Sequence, residues 1–404
     1  MIFARYKKTP RPCSVALILA CTGLLSACVG SSEHRRGGVA AAYAGPSVNA
    51  TTKIPFRMQG RFKKKDDGAV QFSWSGSAVS VHFRGTAVSA DITDTGNNRY
   101  LVLIDGRPAR EKIAPAAGRS TIELVKGLKR GEHTVTLYRL TEPLLGETTL
   151  HALVLDNYGE ALAPVEVARP QILVIGDSIS TGYGNEGSNE KCHFSADTEN
   201  HYLTYEAKAA RVLNADLTTI AWSGKGVASN RGSASDTLTM PRLWKRVNPA
   251  EELPEVEFGT EQPALVVVNL GTNDFAPEVK DTTAFQPQFE KFAAELRKAY
   301  PNAYLLYTVG PLLSDEWPEG KAALSSVRTT LQTIVADAQK AGDSRTGFYE
   351  YQRIRKEEGL GCDWHPSVKT HRRMAAELVS ALKAKNALQP PTSDSTPPTS
   401  SAKE

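Results

Sequence analysis

Apolar residues recur at every second position through much of the first third of this chain. Val70, Phe72 and Trp74 alternate with Gln71, Ser73 and Ser75; Val79, Val81 and Phe83 alternate with Ser80, His82 and Arg84. Such a period suits strands that show one face to a core and the other to water. Turn-forming clusters separate the runs, as DDG at 66–68, TGNN at 95–98, DG at 105–106 and RG at 130–131. The pattern predicts a β-sandwich of jelly-roll type over 49–166. The rhythm then changes. Apolar runs at 171–175, 217–222, 264–270, 304–309 and 347–351 alternate with helical periods. Those periods are Phe285, Phe289, Phe292 and Leu296, then Val327, Leu331 and Val335, then Met374, Leu378 and Leu382. They predict a three-layer α/β domain over 167–387, a parallel sheet with helices on both faces.

The ends of the chain follow neither rhythm. Arg5, Lys7, Lys8 and Arg11 precede the apolar run SVALILACTGLL. That run falls short of the roughly 20 apolar residues a bilayer span needs, so residues 1–27 read as a secretory signal. It ends in LSAC, residues 25–28, which resembles the bacterial lipobox; the resemblance implies lipid on Cys28 and a membrane anchor at the N-terminus. Val29 follows, not Asp, and by the same resemblance this favours the outer membrane, on its periplasmic or surface face. Residues 28–48 are rich in Gly, Ala and Ser and read as a flexible tether. The Pro, Ser and Thr of 388–404 predict a disordered tail.

Removing the signal changes the charge argument. The 404-residue chain carries 48 Lys and Arg against 44 Asp and Glu, and all four surplus cations lie in the signal. A neutral remainder has no basic field for a phosphate backbone, which argues against nucleic acid as a partner. Of five cysteines, only Cys192 and Cys362 lie in the two predicted domains. In an oxidising compartment they can form a disulfide, or remain two buried thiols; the sequence leaves both open.

Candidate chemistry clusters at strand ends, where parallel α/β sheets bind their ligands. The first strand runs into Gly176, Asp177 and Ser178. SGKG (223–226) follows the second strand, GTND (271–274) follows the third, and DWHP (363–366) precedes the last helix. These four blocks resemble those of the SGNH/GDSL hydrolase superfamily, with Ser178, Gly224, Asn273 and His365 at the matching positions. Together with the preceding sandwich they are most similar to carbohydrate esterase family 2. Members remove O-acetyl groups from plant cell-wall polysaccharides, so an acetylated polysaccharide or oligosaccharide is the expected substrate.

The resemblance implies a role for each matching residue. Ser178 is the nucleophile and His365 the general base, because a hydroxyl needs a base to take its proton. The oxyanion donors are the N–H groups of Ser178 and Gly224 and the side-chain amide of Asn273. Gly226 competes with Gly224. In most of the superfamily the orienting acid stands three residues before the histidine, where this chain has Cys362. Asp363, two residues before, is the candidate third member; otherwise a backbone carbonyl orients the imidazole. Trp364 is the candidate sugar platform, and Trp222 reads as core.

Asp177 reads as a turn-holding carboxylate. Gly182, Gly184 and Gly187 spell a dinucleotide fingerprint but begin too far from the strand end. They read instead as room for a loop passing over Ser178. With no H-E-x-x-H or paired C-x-x-C, neither a metal site nor a cofactor is expected. Two other readings share these residues: a lipid or lysophospholipid esterase of the same fold, and a glycan-binding surface lipoprotein. The polar 181–201 loop argues against the first, and four intact blocks argue against the second.

Overall fold

Two antiparallel sheets face each other across the first core. One orders its strands Arg57–Gln59, Ala78–Gly85, Gly131–Arg139, Tyr100–Ile104 and Arg107–Ile113, with Glu160–Ala161 also on Ala78–Gly85. The other runs Lys63–Lys64, Val70–Phe72, Thr148–Leu155, Val88–Asp94 and Gly118–Val125. Val79, Val81 and Phe83 point inward with Val70, Phe72, Ile92 and Leu137. The turn clusters at 66–68, 95–98 and 105–106 fall between strands as expected, and Gly131 of the fourth opens the strand Gly131–Arg139. At 105–106 both Asp105 and Gly106 have positive φ, the geometry that lets a two-residue hairpin follow the strand twist. The computed structural model describes residues 54–389 apart from 233 and 234. The signal, the tether, Cys28 and all but the first two residues of the tail lie outside them.

The second half forms a five-stranded parallel sheet. Its strands are β1 (Gln171–Gly176), β2 (Asp216–Ala221), β3 (Leu265–Asn269), β4 (Tyr304–Val309) and β5 (Thr346–Glu350), in the order β2-β1-β3-β4-β5. All five match the apolar runs. Among the described residues six α-helices alternate with or follow these strands: α1 (Ser178–Thr181), α2 (Tyr205–Val212), α3 (Met240–Leu243), α4 (Phe285–Ala299), α5 (Ala323–Lys340) and α6 (Val368–Ala384). Alternate residues of β1 face opposite layers. Leu173 and Ile175 pack with Phe285, Phe289, Phe292, Val327 and Leu331 of α4 and α5. Ile172 and Val174 pack with Tyr205 and Ala209 of α2 and Met374 and Leu378 of α6. Both faces of every central strand are therefore apolar, as a doubly covered parallel sheet demands. The strand order reverses beside β1, so the crevice at its carboxyl end is where this topology seats a ligand.

One expectation fails. The polar side of 70–75 is not wet, because Gln71, Ser73 and Ser75 are all buried. This edge of the sandwich lies against the α/β half. Trp74 joins the core of Leu173, Met240, Leu243 and Trp244, and its Nε1 donates to the Val247 carbonyl at 3.0 Å. Ser73 Oγ reaches Asn248 Oδ1 at 3.1 Å. Buried Arg61 donates to the Trp244 carbonyl and pairs with Glu261 at 2.8 Å. A serine is small enough to bury and polar enough to satisfy a neighbour. Its alternation with apolar residues therefore does not reveal whether water or protein covers it.

Candidate active site

The first block is built by local geometry. Asp177 caps α1 and accepts the Ile179 N–H at 3.0 Å, the turn-holding role expected of it. Burial pushes its carboxyl up to about 7. This cap presents Ser178, 8% exposed, at the first position of α1. The Ser178 N–H takes no acceptor among the described residues, as suits the first turn of a helix.

After β2, Trp222 packs partly buried against the core, and the chain turns through Ser223 and Gly224. Gly224 has φ +81°, a left-handed conformation that glycine adopts without strain. Its N–H takes no acceptor among the described residues, whereas the Gly226 N–H donates to Asn230 Oδ1 at 3.1 Å. Between the two candidate donors, Gly224 is therefore the one left available. Past β3, Asn273 is buried, and its amide donates to the Lys225 carbonyl at 2.9 Å and, longer, to Asp177 Oδ2 at 3.3 Å. Asp274 beside it accepts the N–H groups of Val227, Ala228 and Ser229. The second and third blocks are thus tied to each other and to the first.

His365 closes the arrangement. Its Nε2 lies 2.9 Å from Ser178 Oγ, the reach needed for proton abstraction. Its Nδ1 lies 3.1 Å from the Asp363 backbone carbonyl. A carbonyl only accepts, so Nδ1 carries the proton and Nε2 accepts from the serine. The Tyr183 ring covers the imidazole at 4.2 Å between centroids and itself stacks on Phe194 at 4.2 Å. Burial pushes the His365 pKa down from 6.5 to about 4.

The expectation that the Asp363 carboxylate orients the imidazole is corrected here. That carboxylate accepts from the Phe194 N–H at 2.9 Å, His193 Nδ1 at 3.0 Å and the Tyr183 hydroxyl at 3.1 Å. Partial burial opposes its ionisation, yet these donors hold its pKa below the usual range. Asp363 and Trp364 both have positive φ, +51° and +63°. The double left-handed turn aims the carbonyl at the ring and leaves Trp364 61% exposed beside it.

The cysteine alternatives resolve to a bond: Cys192 and Cys362 are joined, with 4.6 Å between Cα atoms. Of the three glycines expected to clear Ser178, Gly184 and Gly187 clear this bond instead, and Gly182 lies against Asn185, Asn200 and Thr204. A Cβ on Gly187 would lie 2.4 Å from Cys362 Sγ, and one on Gly184 2.9 Å from Cys362 Cβ. The sequence reads His193 as solvated or structural, and it is an exposed side chain that holds the Asp363 carboxylate; Tyr183, Phe194 and Asp274 drew no role, although Tyr183 and Asp274 lie within the first and third blocks.

A serine hydroxyl held on a neutral imidazole at the ends of a parallel sheet is the arrangement of an SGNH-type serine hydrolase. Comparison with known proteins agrees. A model of the carbohydrate esterase 2 N-terminal domain matches residues 58–164, and one of the GDSL-like lipase/acylhydrolase family matches 174–373. The structure superposes on a family two carbohydrate esterase from Clostridium thermocellum, solved in complex with cellohexaose. The TM-score is 0.77 at 34% identity, over 83% of this chain and 100% of that one. The chain belongs to carbohydrate esterase family 2. It is 36% identical to the cellulase/esterase CelE of Acetivibrio thermocellus over 81% of its own length, but spans only 39% of CelE. Another relative, an acetylxylan esterase/glucomannan deacetylase of Cellvibrio japonicus, is 27% identical, covering 81% of this chain and 88% of that one.

Two outcomes follow from the His365 geometry. Asp363→Asn is expected to lower kcat by less than about tenfold, against the roughly 10⁴ that losing a true triad acid costs. Steady-state kinetics on 4-nitrophenyl acetate checks this, and a loss near 10⁴ would return the carboxylate to the mechanism. The second concerns pH. A histidine whose pKa lies below its ordinary value stays a neutral, competent base until pH falls through that lower value. The acidic limb of kcat/KM should therefore fall below pH 5; half-loss near 6.5 would contradict the burial of the ring.

Proposed function

We propose that this chain is a serine esterase that removes O-acetyl groups from plant cell-wall polysaccharide of the xylan, glucomannan or xyloglucan kind. The observation carrying the reading is the 2.9 Å contact between Ser178 Oγ and His365 Nε2, with the imidazole tautomer fixed from behind. Ser178 attacks the acetyl carbonyl while His365 takes its proton. The carbonyl oxygen gains charge and is met by the N–H groups of Ser178 and Gly224 and by the Asn273 amide, which gives up its longer, 3.3 Å bond to Asp177 Oδ2 to reach it. As the tetrahedral intermediate collapses, His365 returns the proton to the departing sugar hydroxyl. Water, activated by the same imidazole, then releases acetate from the acyl-enzyme. Trp364 offers a flat exposed ring beside the base, suited to stacking against a pyranose. The activities in the names of its relatives support the same substrate class.

Acetate release from a panel of acetylated xylan, glucomannan and xyloglucan is expected for at least one polymer, with NMR identifying the acetyl signals that disappear. Ser178→Ala should abolish release, and Asn273→Ala should lower kcat by about 10²–10³, the usual cost of an oxyanion donor. Undiminished release by Ser178→Ala would sink the proposal.

The N-terminal sequence and the Cys192–Cys362 bond support a further proposal, export as a lipoprotein anchored at the outer membrane through Cys28. Cells fed labelled palmitate should label the native chain but not Cys28→Ser. Equal labelling of the two would refute the anchor.

A further inference from the structure

The turn that presents Gly224 is gripped by the other half of the molecule. Glu142 lies in the sandwich, between the strands Gly131–Arg139 and Thr148–Leu155, and is fully buried. Its Oε2 accepts the Ser223 N–H at 2.8 Å and its Oε1 the Ser223 hydroxyl at 2.5 Å. Ser223 is the residue before Gly224, so the clamp acts on the peptide next to the one whose N–H is left available. The same hydroxyl lies 3.4 Å from Thr181 Oγ1, on the helix that carries Ser178.

Behind Glu142 stands a second buried acid. Glu199 Oε2 accepts the Glu142 N–H at 3.0 Å, while its Oε1 is buried with no hydrogen-bond partner among the described residues. Arg139 fixes the backbone from the other side, donating to the carbonyls of Thr141, Glu142 and Gly146. Burial raises Glu142 to about 7 and Glu199 well above its ordinary value; the charge of Glu142 raises Glu199 further, whereas a hydrogen bond from Glu199 favours the charged form of Glu142. A proton on Glu199 would let it donate to Glu142, leaving one charge shared by the two acids. Two carboxyls withdrawn from water are an expensive way to hold a loop for stability alone, since apolar packing of similar volume does that as well. What apolar packing cannot do is fix an N–H direction.

We propose that Glu142, backed by Glu199, is a positioning residue for the esterase reaction: its carboxylate clamps Ser223 and thereby aims the Gly224 N–H at the developing oxyanion. The sandwich is then part of the catalytic apparatus without touching substrate. The inference rests on the esterase reading and deepens it.

The test measures kcat and KM on 4-nitrophenyl acetate for wild type, Glu142→Ala, Glu142→Gln and Ser223→Ala, with thermal unfolding followed by circular dichroism. A misaimed donor should cost less than a missing one, so Glu142→Ala should lower kcat by about 10- to 100-fold with KM within about threefold. Glu142→Gln keeps one acceptor oxygen and should recover at least part of that loss. Ser223→Ala loses only the hydroxyl half of the clamp and should fall between it and wild type. Should Glu142→Ala fail to fold, the other two variants decide. Folded variants that keep kcat within twofold, or that change KM alone, overturn the clamp while leaving the esterase reading intact. A wild type that turns over no acetyl ester overturns both.

Discussion

Which nitrogen of His365 carries its proton decides what the site can do. A neutral imidazole has one donor and one acceptor, so fixing one end fixes the other. Here the fixed end is Nδ1, donating to the Asp363 carbonyl, and the free lone pair is left facing Ser178. A carbonyl supplies orientation with only partial negative charge. The imidazolium formed during attack is therefore less stabilised than beside a carboxylate; burial depresses its pKa, and the carbonyl offsets that only in part. This weakens the base but strengthens the acid it becomes. A departing sugar oxygen is a poor leaving group unless protonated, so the second half of the proposed reaction gains where the first half loses.

Aiming a carbonyl requires control of backbone dihedrals, and the chain around Asp363 is built for that control. Left-handed conformations at an aspartate and a tryptophan cost on the order of 1–3 kcal/mol each, and persist only when their surroundings hold them. Cys362 is bonded to Cys192, its N–H donates to the Gly184 carbonyl, and the Asp363 N–H donates to the Cys192 carbonyl. The Asp363 carboxylate, tied to Tyr183, His193 and Phe194, pins the same turn from its other side. Side chain and main chain of one residue thus divide the work. The carboxylate holds the loop and the carbonyl orients the base.

The parallel sheet was legible because each of its strands is buried on both faces and reads as an unbroken apolar run. Ser178, Gly224, Asn273 and His365 were legible because each sits at a strand end or before a helix, where sequence position nearly fixes spatial position. Asp363 was not. Whether its carboxylate or its carbonyl meets the imidazole depends on two φ angles and on donors 169 to 180 residues away. Glu142 gave no signal for a related reason, since its partner lies 81 positions along the chain and nothing local marks an acid as buried. Ser73 and Ser75 misled through their alternation, which reports that a face is polar but not what covers it.

That covered face bears on how the two halves work together. Trp74 of the sandwich lies in the same core as Leu173 and Ile175 of β1. The loop between α1 and α2 docks on the sandwich through Arg99 with Asp197, at 2.6 Å, and Tyr138 with His201, also at 2.6 Å. Elements that share a core cannot shift against each other without opening voids, and protein interiors resist that as crystals do. The loop carrying His193 and Phe194, and through them Asp363, therefore takes its position from a domain that contributes no reacting group. An esterase that must hold one carbonyl and one glycine N–H to within fractions of an ångström gains from such a rigid second body. This role for the sandwich requires no glycan binding on its surface.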